Sequence, residues 1–211
     1  MKILVTGNTG YIGPVLGGRI KASNNNIKLV GYDTGFFLHC LTAVDRSPDL
    51  NYDIQYYGDI RKFDKTILNG VDVVIHLAAI SNDPMGNNFS DVTDEINSKA
   101  SEEIAKKSKE AGVKKFIFAS SCSMYGTTDN NKKKESDSLN PLTAYAKSKV
   151  YMEKALEALS DNNFQATCLR YSTACGMTER LRLDLVLNDF VASALCTGNI
   201  EILSDGTPWR P

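Results

Sequence analysis

The chain has 211 residues, enough for one well-buried core or one core and part of a second, and its charged residues nearly cancel to a formal net charge of -1. That balance excludes the basic field of a nucleic-acid binder and the acidic tail of a solvating chain. The five cysteines (Cys40, Cys122, Cys168, Cys175, Cys196) are odd in number and free of C-x-x-C spacing, which argues against a disulfide framework or a metal site and suits a reducing cytoplasm.

The chain opens on "MKILVTG", a strand-like run with no charged segment and apolar signal core. No apolar stretch approaches membrane-spanning length, so a soluble, cytoplasmic protein is expected. The strand leads into "VTGNTGYIG", where Gly7, Gly10 and Gly13 stand between a strand and a helix start. Glycines so placed let the backbone approach a pyrophosphate and aim N–H groups at it from a helix N-terminus. The second strand, "IKLVGYD", ends on Asp33. A carboxylate there can accept both adenosine ribose hydroxyls and repel a 2'-phosphate, which favours NAD over NADP. The connection from Gly35 to Asp53 is long for such a fold.

Further strand-like runs follow at "IQYYGDI", "VDVVIHLAA", "KKFIFASS" and "FQATCLRY". Between them, "DVTDEINSKASEEIAKKSKEAG" sets Val92, Ile96, Ala100 and Ile104 one turn apart and closes on Gly112, which predicts one amphipathic helix. A second helix is predicted from near Thr143, after Pro141. The charged "NNKKKESDS" from Asn130 to Ser138 reads as solvated surface. Alternating strands and helices, with strands apolar almost throughout, predict an α/β fold whose parallel sheet is covered on both faces. The last part carries a helix-like "LRLDLVLNDFVASALCTG", a short "IEIL" and "SDGTPWRP", which looks like the lead-in to a further strand.

Two features carry chemistry beyond nucleotide binding. In "YAKSK", Tyr145 and Lys149 are four apart and share a helix face. A tyrosine of pKa near 10 is a poor base at neutral pH, and an adjacent ammonium favours its phenolate. "SSCSMYG" closes a strand at the carboxyl edge, where open α/β sheets bind ligands. Ser121 is the candidate partner of Tyr145, donating or relaying a hydrogen bond to the oxygen that gains or loses a proton. Cys122 is expected to pack inward as a small apolar side chain.

With "TGNTGYIG", Asp33, "GDIR", "HLAAIS", Asn97, "SSCSMYG", "YAKSK" and "SDGTPWRP" in this order, the chain resembles the extended short-chain dehydrogenase/reductase family, in its NAD-dependent nucleotide-sugar epimerase/dehydratase branch. The resemblance implies a Rossmann-type doubly wound sheet over residues 1–175 and the opening of a smaller C-terminal substrate domain over 176–211. Members usually run on well past this point, so only the first part of that half is expected here. NAD would be bound by Gly7, Thr9, Gly10, Tyr11, Ile12, Gly13 and Asp33, by Asp59 and Ile60 at the adenine, and by the Leu77, Ala78 and Ala79 backbone. Tyr145 and Lys149 complete that set, Lys149 also hydrogen-bonding the nicotinamide ribose. Ser81, Ser123, Asn188 and Arg210 would meet the nucleotide-sugar substrate, Arg210 at its diphosphate. His76 is expected to pack at a strand end.

The chemistry implied is oxidation of a sugar hydroxyl, with Tyr145 taking the proton and NAD the hydride, to give a keto-sugar. In the dehydratases of the family a carboxylate follows the serine or threonine, whereas Cys122 and Ser123 stand there in this chain. An epimerase therefore fits better than a 4,6-dehydratase or reductase; a non-catalytic NAD-binding or nucleotide-sugar-binding module is the alternative from another class. The helices after Asp91 and Thr143 would form a homodimer, as they commonly do in the family.

Overall fold

The computed structural model describes residues 1–42, 47–81, 88–126, 132–202 and 204–205. Six strands, β1 (Lys2–Thr6), β2 (Lys28–Asp33), β3 (Ile54–Tyr57), β4 (Val73–His76), β5 (Lys115–Ser121) and β6 (Gln165–Tyr171), form one sheet in the order β3-β2-β1-β4-β5-β6. Every pairing is parallel. This is the doubly wound Rossmann arrangement expected from the sequence. The order reverses between β1 and β4, and there the carboxyl ends of the strands leave a crevice. Thr6 stands opposite His76 in the register, so the glycine loop after β1 and the "LAA" run after β4 line the two sides of that crevice.

Both sheet faces are buried over β1, β2 and β4, whose strands read as continuous apolar runs, whereas edge strand β6 leaves Leu169 and Tyr171 exposed, against the expectation of a sheet covered on both faces throughout. On one face Leu4, Val74, Phe116 and Phe118 pack with Ile104, Met152 and Leu156. On the other, Ile3, Val5, Leu29 and Ile75 pack with Leu16 and Ile20 of helix α1 (Gly13–Ser23). Burying a side chain of this size is worth ~1.5–3 kcal/mol, so these layers fix the sheet against which the site is built. No helix among the described residues is long and apolar enough to cross a membrane.

The single amphipathic helix expected after Asp91 is not regular. It divides into α2 (Ser90–Asp94), a π-helical turn (Glu95–Ala100) and α3 (Ser101–Glu110). The wider turn shifts the phase of everything before it. Val92, expected inside, is 37% exposed, while Thr93, Asn97, Ser98 and Ser101 are buried. Ser101 Oγ donates to the Ile96 carbonyl at 2.9 Å, tying α3 back to the π-helical turn. Gly112 closes α3 at φ 78° as expected.

Helix α4 (Ala144–Leu159) begins where predicted, with Thr143 Oγ1 accepting the Ala146 N–H at 3.1 Å. Of the helix-like stretch near the end, only α5 (Val186–Thr197) is helical, stopped by Gly198 at φ 74°. The short "IEIL" is irregular over 200–202, and Leu203 and residues 206–211, which hold most of the expected strand lead-in, lie outside the described residues. The connection after β2 holds two short 3-10 turns, Leu38–Cys40 and Pro48–Asn51. The lysine-rich loop is more than solvated surface over its described part. The Lys134 carbonyl accepts from Tyr125, and the Glu135 carbonyl from Arg170.

Candidate active site

The glycine loop is shaped by close approach. Gly7 has φ 73°, and a Cβ there would lie 2.6 Å from the Ala78 nitrogen, so only glycine lets β1 turn against the backbone after β4. A Cβ at Gly13 would lie 2.2 Å from the Asn8 carbonyl oxygen. At Gly10 the single neighbour is the Gly7 carbonyl oxygen at 3.2 Å, leaving open space before this turn. No side chain caps the start of α1, whose cap residue is Ile12, and its first turn holds no acidic residue. The positive end of the helix dipole is thus left facing that space.

Asp33 borders the same loop. Its carboxylate accepts the Thr9 N–H at 3.1 Å and the Gly35 N–H at 2.9 Å. The Asp59 carboxylate accepts three bonds from the Arg61 side chain, the shortest 2.6 Å, and these hold its pKa below the usual carboxylate range. Ile60 packs with its side chain in the core beside Tyr32 and Phe63. Leu77 N donates to the Thr6 carbonyl at 3.0 Å, and Ala78 N lies 3.5 Å from Thr6 Oγ1. Ala79 is half-buried. An open cradle, an unclaimed helix N-terminus and an acidic strand end fit a dinucleotide, its pyrophosphate before Gly10 and its adenosine ribose toward Asp33.

At the other side of the crevice β5 delivers Ser121, whose Oγ accepts the Ser123 N–H at 3.1 Å across the short turn Cys122–Tyr125. With that bond held by an acceptor lone pair, the hydroxyl proton can point to a ligand oxygen. Ser123 Oγ is buried with no hydrogen-bond partner among the described residues. Cys122 Sγ donates to the Arg170 carbonyl at 3.2 Å, and burial raises its pKa, so the thiol stays protonated. Helix α4 packs on β5 and on this turn.

Tyr145 is half-buried in the first turn of α4, and Lys149 follows it inward at 4% exposure. Lys149 Nζ donates to the Ala119 carbonyl at 2.7 Å and lies 4.6 Å from the Phe118 ring centre and 5.2 Å from that of Tyr145. Burial pushes its pKa down to about 7, so near neutrality the side chain can carry or release its proton. His76 is a packing residue, as expected. Its ring nitrogens meet Thr6 Oγ1 at 2.7 Å and Ser101 Oγ at 2.9 Å, and burial drives its pKa to about 3.

Residues 176–188 run beside the crevice mouth. Tyr11 Oη donates to the Gly176 carbonyl at 2.7 Å. The Asn188 side chain joins the two, accepting from Gly176 N at 2.9 Å and donating to Tyr11 Oη at 3.0 Å. Ser81 Oγ pairs with Arg182 Nη1 at 3.0 Å. Arg210 lies outside the described residues.

Asn97 belongs to the ordered motifs, and its role is visible only in the fold. Its side chain bonds both Ile80 N, at 2.8 Å, and Ile80 O, at 2.9 Å, which fixes the loop leading to Ser81. The π-helical turn that presents it leaves no mark in the apolar pattern. Glu153 and Arg170 belong to none of the sequence motifs. The only signal was a second four-residue step, from Lys149 to Glu153, on the Tyr145 face of α4.

Fold and site together define a Rossmann-class, dinucleotide-dependent protein with a Ser-Tyr-Lys constellation at the carboxyl edge of its sheet. The model of the NAD dependent epimerase/dehydratase family matches residues 3–211, and the chain belongs to that family. Its sequence is 29% identical over 219 residues to an uncharacterised UDP-glucose epimerase of Bacillus subtilis, covering 100% of this chain and 67% of the relative. It is 30% identical over 185 residues to the UDP-glucose 4-epimerase of Halalkalibacterium halodurans, covering 83% of this chain and 52% of that one. The structure of a mutant UDP-glucuronic acid 4-epimerase from Bacillus cereus, in complex with UDP-4-deoxy-4-fluoro-glucuronic acid and NAD, superposes with a TM-score of 0.83. That match has 27% identity and covers 98% of this chain and 67% of the other. The chain thus spans about half to two thirds of the length of these relatives. NAD is the cofactor of the family, and solved relatives carry it.

Proposed function

We propose that the protein is a nucleotide-sugar epimerase acting on a UDP-hexose. The observation that carries this reading is the conjunction, at one sheet edge, of Tyr145, buried Lys149 and the Ser121 turn, without a carboxylate in Cys122–Tyr125. NAD, when bound, supplies a hydride acceptor that can later return the hydride. The chain's own residues then have defined tasks. Tyr145 holds the proton of the reacting sugar hydroxyl, Lys149 biases that phenol toward its anion, and Ser121 donates to the same sugar oxygen. Eliminating a distal hydroxyl would need a further acid or base near the sugar. The protonated Cys122 thiol, bonded to the Arg170 carbonyl, is a poor base. Return of the hydride to the opposite sugar face asks for no such group.

UDP-glucose 4-epimerases among the relatives support the choice of a UDP-hexose. In this reading residues 176–211 open the substrate side, with Ser81, Ser123, Asn188 and Arg210 toward the nucleotide sugar. The faces of α3 and α4 form a homodimer contact. The test is a panel of UDP-, GDP-, CDP- and dTDP-sugars incubated with the full-length protein and NAD, the products being resolved as epimers or dehydrated sugars. A UDP-hexose should epimerise, and Tyr145→Phe should lower turnover by several orders of magnitude with NAD affinity nearly intact. Dehydrated product, or wild-type turnover by Tyr145→Phe, would overturn the assignment.

A further inference from the structure

The third residue on the catalytic face of α4 is Glu153, eight positions after Tyr145 and four after Lys149. Its carboxylate meets the Arg170 guanidinium through Nε at 3.0 Å and Nη2 at 2.6 Å, with side chains only 14% and 18% exposed. One carboxylate oxygen also accepts from Ser120 Oγ at 2.6 Å. The remaining arm of the guanidinium, Nη1, donates to Tyr125 Oη at 2.7 Å and to the Glu135 carbonyl at 2.9 Å. Tyr125 Oη in turn donates to the Lys134 carbonyl at 3.0 Å, and the Arg170 carbonyl accepts from Cys122 Sγ.

Ser120 and Tyr125 bracket Ser121 and its turn. The residue before the catalytic serine and the last residue of its turn are thus both tied to one ion pair, whose acidic member belongs to the helix that carries Tyr145 and Lys149. Ser120 is 2% exposed and points to the opposite side of β5 from Ser121, so it cannot meet substrate itself. A planar guanidinium fork with every arm engaged holds direction as well as distance.

We propose that Glu153 and Arg170, acting through Ser120 and Tyr125, are positioning residues for the reaction, setting where the Ser121 hydroxyl stands relative to Tyr145. The proposal rests on the functional reading above. A buried ion pair by itself is weak ground for stability, because desolvation offsets much of its attraction. Here its value lies in geometry, and misplacing a reacting group by about 1 Å can cost on the order of 100-fold in rate.

The test uses Ser120→Ala and Tyr125→Phe, which cut the brace at either end without leaving a buried charge unpaired. In the full-length protein with NAD and UDP-glucose, each should lower kcat roughly 10- to 100-fold while leaving the KM for UDP-glucose, NAD affinity and Tm near wild type. In a Ser121→Ala background neither should lower kcat further, because the residue through which they act is gone. The same proportional loss in both backgrounds, or a loss that follows KM or Tm, would overturn the proposal and leave a structural ion pair. Wild-type kcat in Ser121→Ala alone, or no turnover of UDP-glucose by the wild type, would overturn the functional reading and the proposal with it.

Discussion

Lys149 gives the most exposed test of the site's electrostatics. Its ammonium is 4% exposed and has a carbonyl oxygen and two ring faces for company, with desolvation as the main influence on it. Burial takes its pKa from 10.5 to about 7. At about 1.4 kcal/mol per pKa unit, keeping the charge inside the cofactor-free fold costs on the order of 5 kcal/mol at acidic pH. Between those two values the unfolded chain holds a proton that the folded one has lost, so stability rises with pH across the window. Below about pH 7 both states are protonated and the full cost is present.

Lys149→Met removes this dependence. It also leaves the Ala119 carbonyl without its donor, a pH-independent loss of roughly 1–3 kcal/mol. The cofactor-free variant should therefore exceed wild type in stability by most near pH 6, and the margin should shrink by roughly 2 kcal/mol between pH 7 and pH 9. Urea denaturation of both proteins at several pH values measures it, since groups common to the two cancel in the difference. Tyr145, His76 and Cys168, the titratable neighbours, are retained in both. Parallel stability profiles would refute the reasoning, because they would mean that Lys149 keeps an ordinary pKa inside the fold.

Asp33→Ala should narrow the preference for NAD over NADP by removing ribose hydrogen bonds and phosphate repulsion together; equal affinities of the wild type for the two cofactors would remove the basis for this. Gly13→Ala should abolish NAD binding or lower Tm sharply, since its Cβ would stand 2.2 Å from the Asn8 carbonyl oxygen, whereas Gly10→Ala, 3.2 Å from the Gly7 carbonyl oxygen, asks for a much smaller shift and should lower Tm far less while losing affinity by crowding the phosphate; calorimetric titration and thermal melts separate the two. His76, with its pKa near 3, should show no proton NMR titration between pH 5 and pH 8. Stability tied to it should be complete above about pH 6.5 and fade as pH falls toward 3, and a midpoint near 6.5 in the folded protein would contradict the burial argument.

The local sequence determined the fold class, the glycine cradle, Asp33 and the Tyr145–Lys149 pair, because each of these depends on near neighbours. Strand runs report a sheet covered on both faces, glycine spacing reports a turn between strand and helix, and a four-residue step places two side chains on one helix face. The position of "SSCSMYG" at the end of a strand added Ser121. What the sequence could not show depends on contacts between distant segments. Val92, Ile96, Ala100 and Ile104 keep a perfect apolar spacing, yet the π-helical turn rotates Asn97 inward, since its bonds to Ile80 and those of Ser101 to His76 and the Ile96 carbonyl outweigh the apolar stripe. Asn188 meets Tyr11 across 177 positions, a closeness that no spacing rule encodes. Glu153 and Arg170 meet only because the register of β5 and β6 and the packing of α4 bring them together behind Ser120. Charge pairs of this kind are decided by tertiary structure, because their geometry belongs to two elements at once and their strength to the burial that both create.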